Sequence, residues 1–321
     1  MIAPTDDLRD TRVLVTGVGG PAGLAVMRAL PAHGAQVVAA DADPSAAGLR
    51  LATERVRLPR YEDPAFADAV LATAQQLRCT AVVPTLAEEL RVLTPRTRAF
   101  GDAGIGTWFP GMVALDLCLD KWRFARALDV AGVPTPATAL DGIGSVPGPW
   151  IVKPRSGRGS RDVHAVDTPS DAAWACRHVT DPIVQHRCTG REFTVDALVE
   201  PGGDLVAAVP RWRLETKAGI STKGMTFADD AVVDAARRAL AAVGLRGAAN
   251  VQGFVGPDGA VRIVEINPRF SGGLPLSLAA GADLVGQYVR VAHGLPIERD
   301  RLAFTPGVAM VRYLESVFVR P

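Results

Sequence analysis

The first hundred residues alternate short apolar runs with segments of helical periodicity. The runs at residues 13–15, 37–40 and 81–83 predict three buried strands, because they are short, apolar and bounded by turn residues. Residues 24–30 and 66–77 have the spacing of helices. This βαβαβ order predicts a parallel, doubly wound sheet of about 100 residues.

The pattern changes near residue 110. Residues 119–131 predict one amphipathic helix, with Leu119, Trp122, Ala125 and Leu128 on a single stripe. Gly132 and the prolines that follow it are a helix-ending signal. Short strands are predicted next, rather than further βαβ units.

Strands and one further helix are predicted in the second half of the chain. The predicted strands are residues 150–153, 183–185 and 193–199, and a hairpin is predicted from residues 250–255 and 261–266. Between them, Asp229 and Asp230 predict the start of a helix over about 231–243, which Gly244 ends.

Composition and charge exclude several classes of protein. The chain is 48% hydrophobic and 21% charged, as expected for a globular protein with a full core. A formal net charge of +1 provides no global field for nucleic acid or an anionic membrane, so neither is expected as a partner. No apolar run approaches the roughly 20 residues of a membrane span, and residues 1–10 lack the apolar core of a signal peptide. A cytoplasmic protein is therefore expected.

The four cysteines do not form a disulfide framework, because they are few and scattered. Cys176, His178, His186 and Cys188 lie within thirteen residues of one another and offer a zinc site as an alternative. Their spacing lacks the short turns between paired ligands that zinc sites usually have, so separate packing roles are favoured.

A glycine-rich turn follows the first predicted strand and runs from Gly17 to Gly23. Glycines at this place let the backbone approach a phosphate at a helix N-terminus, and Asp41 stands where a ribose-binding acid would follow. NAD is therefore one interpretation. The other is a glycine turn in a Rossmann-like domain that binds another ligand or none.

The strand of the C-terminal hairpin carries two oxygen donors. Alternation places Glu265 and Asn267 on one face, about 7 Å apart along the backbone. Gln252 on the partner strand adds a third oxygen to that face. Oxygen donors of this kind suit Mg²⁺. Arg269, just past the strand, offers a planar fork for a phosphate or carboxylate.

Two lysines precede this hairpin. Lys153 ends an apolar strand and is followed by a Ser/Gly turn whose backbone amides can face an anion, which indicates phosphate binding. Lys121 follows Asp120 at a predicted helix start, where a surface lysine is the simpler interpretation.

Together these motifs resemble the ATP-grasp superfamily, and most closely its branch of carbamoyl-phosphate-synthase-large-subunit-like proteins and amino-acid ligases. The resemblance runs from residue 13 to about residue 292. It implies an α/β fold, with an N-terminal Rossmann-like pre-ATP-grasp domain over residues 1–110. The two α+β subdomains of an ATP-grasp fold are expected to follow, a small (lid) subdomain over 111–186 and a large (catalytic) subdomain over 187–321. The glycine turn then belongs to the N-terminal domain, and NAD becomes the weaker interpretation.

The resemblance also implies roles for individual residues. Expected contacts to ATP come from Lys121, Lys153, Ser156, Gly157, Gly159, Ser160, Gln185, His186, Arg187, Cys188 and Glu192. Among these, residues 184–188 are the hinge whose backbone reads the adenine edge, and Glu192 holds the ribose. Mg²⁺, or Mn²⁺ in its place, is expected on Gln252, Glu265 and Asn267. Arg269 and Lys153 are expected to steady the transferred phosphoryl group.

Two arginines and two loops are assigned from their positions in the sequence. Arg211 and Arg213 alternate on a strand and could clamp a substrate carboxylate or phosphate, or form a solvated face. Residues 156–160 and 215–224 are candidate lids. Two positions depart from relatives, His186 where many carry an acid, and Ala87 in a segment where Asp is common.

The implied activity is an ATP- and Mg²⁺-dependent carboxylate–amine ligation through an acyl phosphate, acting on an amino acid or small carboxylic acid. Two alternatives are a carbamate- or bicarbonate-phosphorylating enzyme and a nucleotide-binding protein without turnover. The expected partners are small-molecule carboxylate and amine substrates, and the resemblance suggests a homodimer.

Overall fold

The computed structural model of the protein describes residues 8–140, 142–157, 159 and 161–318. Its N-terminal part contains β1 (Arg12–Thr16), α1 (Pro21–Ala29), β2 (Gln36–Asp41), α2 (Ala47–Leu51), β3 (Glu54–Arg57), α3 (Phe66–Gln76), β4 (Ala81–Val83), α4 (Ala87–Leu93) and α5 (Thr97–Asp102). The four strands form one parallel sheet in the order β3-β2-β1-β4. The predicted βαβαβ order is confirmed. The additional edge strand β3 escaped prediction because three of its four residues are charged.

Two helices follow where the sequence predicted one. They are α6 (Met112–Leu119) and α7 (Lys121–Val130), and the chain is extended at Asp120 between them. The Asp120 carboxylate accepts the backbone amides of Trp122 and Arg123, so it caps α7. The predicted stripe was wrong at its start: Phe124 is buried with Ala125 and Leu128, whereas Trp122 is only partly buried.

A small antiparallel sheet comes next. Its elements are β5 (Thr138–Ala139), β6 (Trp150–Pro154), β7 (His164–Val166), α8 (Pro169–His178) and β8 (Pro182–His186). The strand order is β5-β8-β6-β7, and α8 packs on the sheet around Trp150 and Val152. Among the described residues, no group of three or more His, Cys, Asp or Glu side chains is close enough to hold a metal ion.

The C-terminal part is built on a six-stranded antiparallel sheet. Its elements are β9 (Arg191–Val199), β10 (Leu205–Lys217), β11 (Ile220–Thr226), α9 (Asp230–Ala242), β12 (Gly247–Val255), β13 (Val261–Asn267), α10 (Leu274–Ala279), α11 (Leu284–Ala292) and β14 (Ala309–Val311). Four 3-10 turns complete the described elements: Leu30–His33, Thr94–Arg96, Ile143–Ser145 and Arg299–Leu302. The strand order is β13-β12-β9-β10-β11-β14. The predicted helix capped by Asp229 and the predicted hairpin are both present as α9 and β12–β13.

The two faces of this sheet differ in polarity. On one face Phe193, Val195 and Ala197 of β9 join a core with α7 and α9. On the other face the alternate residues Thr194 and Asp196 are polar. Toward the far end of that second face, Leu198 and its neighbours are covered by the N-terminal sheet and by α11. Thr194 and Asp196 are themselves buried, and this face is partly exposed at Gln252, Glu265 and Asn267.

Residues 215–224, a candidate lid, form part of a hairpin. β10 and β11 pair up to Lys217 and Ile220, and Ala218 and Gly219 connect them with positive φ angles of 47° and 75°. A two-residue turn with both residues in the left-handed region matches the twist of a hairpin. In the part of the chain that the structure describes, no helix has the length and apolar character needed to cross a bilayer.

Candidate functional site

The predicted metal ligands come together on the polar face of the six-stranded sheet. Gln252 stands directly opposite Glu265 in the β12–β13 pairing, and Asn250 stands opposite Asn267. Directly paired residues point to the same face with their Cβ atoms about 5 Å apart. Glu265, Asn267 and Gln252 are all partly exposed, so their oxygens can meet a ligand.

Arg269 is held beside this group by its own backbone neighbours. Its amide donates to the Asn267 carbonyl at 2.8 Å, and one Nη atom donates to Asn267 Oδ1 at 3.2 Å. The other Nη atom donates to the Phe270 carbonyl at 2.8 Å. The guanidinium group is therefore fixed next to the carboxyl and amide oxygens of the strand end.

The two lysines differ in environment. Lys121 Nζ donates to the Gly157 carbonyl at 3.1 Å, which joins the start of α7 to the glycine loop. Lys153 is 9% exposed and donates to Gln185 Oε1 at 2.9 Å. Burial lowers the pKa of Lys153 to about 8; the Glu265 carboxylate opposes this decrease, and the Lys121 ammonium adds to it. The Glu265 carboxylate and the Lys121 ammonium group therefore both lie close enough to Lys153 to affect its charge.

The glycine loop after β6 is exposed at Ser156, Gly157 and Gly159. Gly157 and Gly159 have φ angles of 132° and 69°, values that residues other than glycine rarely adopt. Ser160, also expected to contact ATP, lies outside the described residues.

The predicted hinge, residues 184–188, comprises the last three residues of β8 and the two residues that follow, and its polar groups are partly used within the fold. Gln185 is buried, and its side chain bridges Lys153 and Thr138. The amides of His186 and Arg187 donate to the carbonyls of Ala137 and Pro149, both at 2.8 Å. These two amides are thus engaged and cannot read an adenine edge in this conformation. Arg187 also pairs with Asp167 through its side chain.

Cys188 follows at the end of the hinge and is partly buried. Burial raises the pKa of its thiol, while Arg262 and Lys153 act to lower it.

The two arginines of β10 are paired with carboxylates. Arg211 is 1% exposed and forms an ion pair with Asp196, with 2.9 Å between Nε and Oδ2. Arg213 forms an ion pair with Glu192, with 3.1 Å between Nε and Oε1. Burial raises the pKa of Glu192, and Arg213 opposes the increase. The structure therefore does not present the two guanidinium groups as an open clamp, because each neutralises an acid of β9.

A cavity of about 280 Å³ is lined by several of the predicted phosphate and metal ligands. Part of its lining comes from the chain after residue 110 and includes Lys121, Ser156, Gly157, Glu265, Asn267 and Arg269. Other lining residues come from the N-terminal part and include Tyr61, Leu86, Glu88 and Arg91. The cavity is thus shared between predicted phosphate and metal ligands and a surface of the N-terminal part that is partly apolar and partly charged.

The glycine turn of the N-terminal sheet has an internal partner. The Gly19 amide donates to Asp41 Oδ2 at 2.7 Å. A Cβ atom on Gly23 would lie 2.3 Å from the Gly17 carbonyl oxygen, so this glycine is required by close packing. Asp41, the acid that the NAD interpretation assigns to a ribose, thus stabilises the turn itself.

The structure adds residues that motif analysis did not assign. Asp196 and Thr194 lie in the same alternating row as Glu192, and polar residues at every second position of an apolar strand were a signal for them. Thr194 Oγ1 is buried without a hydrogen-bond partner among the described residues. The pairing of Arg155 with Asp120 had no signal in the sequence, because it joins separate elements.

Comparison with protein families identifies two regions. Residues 178–317 match the family described as "ATP-grasp in the biosynthetic pathway with Ter operon". Residues 13–107 match the PylC-like N-terminal domain. Among curated proteins, none matches the chain significantly.

Solved structures share the fold of most of this chain. The L-amino acid ligase from Bacillus licheniformis is 18% identical with a TM-score of 0.72, over 92% of this chain and 77% of that one. Biotin carboxylase from Campylobacter jejuni, in a β-γ-ATP complex, is 18% identical with a TM-score of 0.71, over 91% and 73%. Carboxyaminoimidazole ribonucleotide synthase from Aspergillus clavatus, complexed with ATP, is 16% identical with a TM-score of 0.74, over 92% and 80%. At these identities the comparison establishes a common fold.

Proposed function

We propose that this chain, in which residues 178–317 match an ATP-grasp family model, is a ligase that uses ATP and Mg²⁺ to join a carboxylic acid to an amine. The observation that carries the proposal is the cavity in which Lys121, Glu265 and Arg269 meet the wall of the N-terminal domain. A phosphoryl donor and its acceptor require such a site, with cations and oxygen ligands on one side and room for a second molecule on the other.

We assign the ATP phosphates to Lys121, Lys153 and the glycine loop. Lys121 lines the cavity and already contacts the loop, whose exposed glycines let backbone amides approach an anion. Lys153 lies deeper, against Gln185. An anionic phosphate nearby would favour its charged form, which burial disfavours in the free protein.

The adenine is proposed to lie against the hinge and the ribose against Glu192. The amides of His186 and Arg187 already donate to the carbonyls of Ala137 and Pro149. We therefore assign recognition of the adenine edge to the hinge carbonyls and to the segment around Cys188. Glu192 is partly exposed and is held by Arg213, so it can turn a carboxylate oxygen toward a hydroxyl group.

The donor set of Gln252, Glu265 and Asn267 fits a divalent cation. It consists of oxygens only, from one carboxylate and two amides, as Mg²⁺ or Mn²⁺ prefers, and it lies beside the phosphate-binding cations. When bound, the metal ion neutralises phosphate charge and holds the phosphates in line with the acceptor.

The reaction is proposed to proceed in two steps. A carboxylate oxygen of the acid attacks the γ-phosphorus of ATP, the bond to the β-phosphate oxygen breaks, and ADP leaves. The amine then attacks the carbonyl carbon of the acyl phosphate, inorganic phosphate leaves, and the amine loses a proton. Arg269 is placed to bind the transferred phosphoryl group, while the two lysines neutralise the charge on ADP. Closure of the glycine loop would exclude water, which otherwise hydrolyses the acyl phosphate.

Arg211 and Arg213 are proposed to support the site through the residues that they contact. Arg213 orients Glu192, and Arg211 Nη2 donates to Ser271 Oγ at 3.0 Å in the loop that follows Arg269. They position nucleotide and phosphoryl contacts rather than clamp the acid.

ADP release tests the proposal. The protein is incubated with Mg-ATP and pooled carboxylic acids, each with and without pooled amino acids, and Glu265→Ala serves as the inactive control. ADP that requires both an acid and an amine, together with an amide detected by mass spectrometry, supports the ligase. ADP formed with bicarbonate or an acid alone, without an amide, would instead favour a phosphorylating enzyme. Absence of ATP binding would overturn the proposal.

A further inference from the structure

We propose that Asn250 is a positioning residue that determines which end of the Gln252 amide faces the metal site, and that Asp196 in turn orients Asn250. This inference rests on the proposed function, because it takes Gln252 as a metal ligand.

The first link is the buried carboxylate of Asp196. It forms an ion pair with Arg211, whose Nη2 donates to Oδ1 at 3.0 Å, and it accepts a hydrogen bond from Ser277 Oγ at 2.6 Å. An ionised carboxylate can only accept hydrogen bonds. Any further group that approaches Asp196 must therefore present a donor.

The second link is Asn250, which stands opposite Asp196 in the β9–β12 pairing and is 3% exposed. Its Nδ2 donates to Asp196 Oδ1 at 3.0 Å. The two ends of an amide have almost the same shape, so hydrogen-bond partners decide their placement. Because the NH₂ group is drawn to Asp196, the oxygen of Asn250 points away from it.

The third link connects Asn250 to the metal site. Gln252 lies two residues further along β12, and its Nε2 is 3.5 Å from Asn250 Oδ1, a long hydrogen bond. With its NH₂ group turned toward Asn250, Gln252 directs Oε1 elsewhere. Glu265, the central predicted ligand, is the residue directly opposite it.

The direction of this chain matters because a cation distinguishes the two ends of an amide. Oε1 binds Mg²⁺, whereas the NH₂ group carries partial positive charge and has no lone pair to donate. Without Asn250, the Gln252 side chain has no other hydrogen-bond partner among the described residues to select its rotamer. Loss of such outer contacts typically costs 10- to 100-fold in metal affinity.

The test separates this role from a general loss of structure. ADP affinity is measured by isothermal titration calorimetry, once with saturating Mg²⁺ and once with EDTA, and the ratio reports the contribution of the metal. Asn250→Leu removes both hydrogen bonds at nearly constant volume. We expect it to weaken ADP binding about 10-fold with Mg²⁺ and less than about 2-fold with EDTA. Asn250→Ala is a second variant with the same expectation should the leucine variant not fold.

A second background supplies the matched comparison. In Gln252→Glu both ends of the side chain are oxygen, so its orientation no longer matters. Asn250→Leu added to Gln252→Glu should therefore leave the Mg²⁺/EDTA ratio of that background unchanged. Ser277→Ala, which removes a donor from the other oxygen of Asp196, should leave the ratio of the natural protein unchanged.

The outcomes distinguish the two proposals. Asn250→Leu could lower the Mg²⁺/EDTA ratio of ADP affinities equally in the natural protein and in Gln252→Glu, or in neither. Either result would overturn the role of Asn250 but not the metal site. A natural protein whose ADP affinity is the same with Mg²⁺ and EDTA would overturn the metal site and this inference together.

Discussion

Arg155 binds both carboxylate oxygens of Asp120, with Nε at 2.9 Å from Oδ1 and Nη2 at 2.6 Å from Oδ2. The same carboxylate caps α7, and the Lys121 amide donates to the Arg155 carbonyl at 3.0 Å. A bidentate pair of this kind fixes both distance and angle. It therefore couples α7, which begins with Lys121, to β6, the strand that carries Lys153.

Arg155→Ala should weaken ATP binding. Because the two elements that we propose to bind phosphate lose their fixed relation, we expect the KM for ATP to rise about 10-fold, with a smaller change in kcat. Steady-state ADP release against ATP concentration measures both constants. Arg126→Ala, which removes an exposed ion pair on the same helix, is the control and should change neither constant. An unchanged KM in Arg155→Ala would contradict a coupling role.

Glu265→Gln should lower metal affinity and activity together. The substitution keeps an oxygen at this position but removes the negative charge of the donor set, so we expect kcat/KM to fall roughly 100-fold at low Mg²⁺. Raising the Mg²⁺ concentration should restore part of the loss. Activity measured against free Mg²⁺, and in EDTA for complete removal of the metal, tests this. Glu62→Gln, at an exposed position, should behave as the natural protein. A loss that Mg²⁺ does not affect would argue against ligation.

Lys153 should take up protons when nucleotide binds. Its pKa in the free protein is lowered to about 8, mainly by burial, so a large fraction is neutral at pH 8.5. Nearby phosphates raise this pKa again, and binding at pH 8.5 should therefore be accompanied by proton uptake. Titration calorimetry in buffers of different ionisation enthalpy measures the number of protons. Uptake should vanish at pH 6.5, where Lys153 is charged in both states, and in Lys153→Met. Uptake that persists in Lys153→Met would assign it to another group.

Glu89→Gln should stabilise the protein above neutral pH. Burial raises the pKa of Glu89 to about 7, while a hydrogen bond from Thr16 opposes this increase. The folded state therefore holds a proton that the unfolded chain releases near pH 4.5, and its stabilising effect is lost as pH rises through 7. A neutral glutamine avoids that loss, and we expect a gain on the order of 2 kcal/mol at pH 8.5 relative to pH 5. Urea unfolding at both pH values tests this; equal gains would contradict the assignment.

Arg91→Ala should affect the acid substrate rather than ATP. Arg91 lines the same cavity as Arg269 and pairs with Asp116 at 3.4 Å. Once an acid substrate is known, we expect its KM to rise several-fold while the KM for ATP stays unchanged. Arg96→Ala, which removes an exposed ion pair with Asp68, is the matched control. An increase confined to the KM for ATP would place the nucleotide, rather than the acid, against this wall.

Much of the framework could be predicted because its signals are local. Alternation along β13 puts Glu265 and Asn267 on one face, and the Pro-Asp-Gly turn brings Gln252 to the opposite strand. Asp229 marks the start of α9. Where a local signal was ambiguous, the prediction failed: residues 119–131 contain helical spacing throughout, but the Asp120 side chain favours a cap over a continuous helix.

Sequence by itself thus determined the layered α/β architecture and the set of polar residues that can carry the chemistry. Tertiary structure decided which of them line the cavity. Arg211 and Arg269 are equally cationic in sequence, yet one is buried against Asp196 and the other lines the cavity. Periodicity specifies the face of a strand, but the partner on that face comes from distant segments, because burial of a charge requires an opposite charge that only the folded chain brings near.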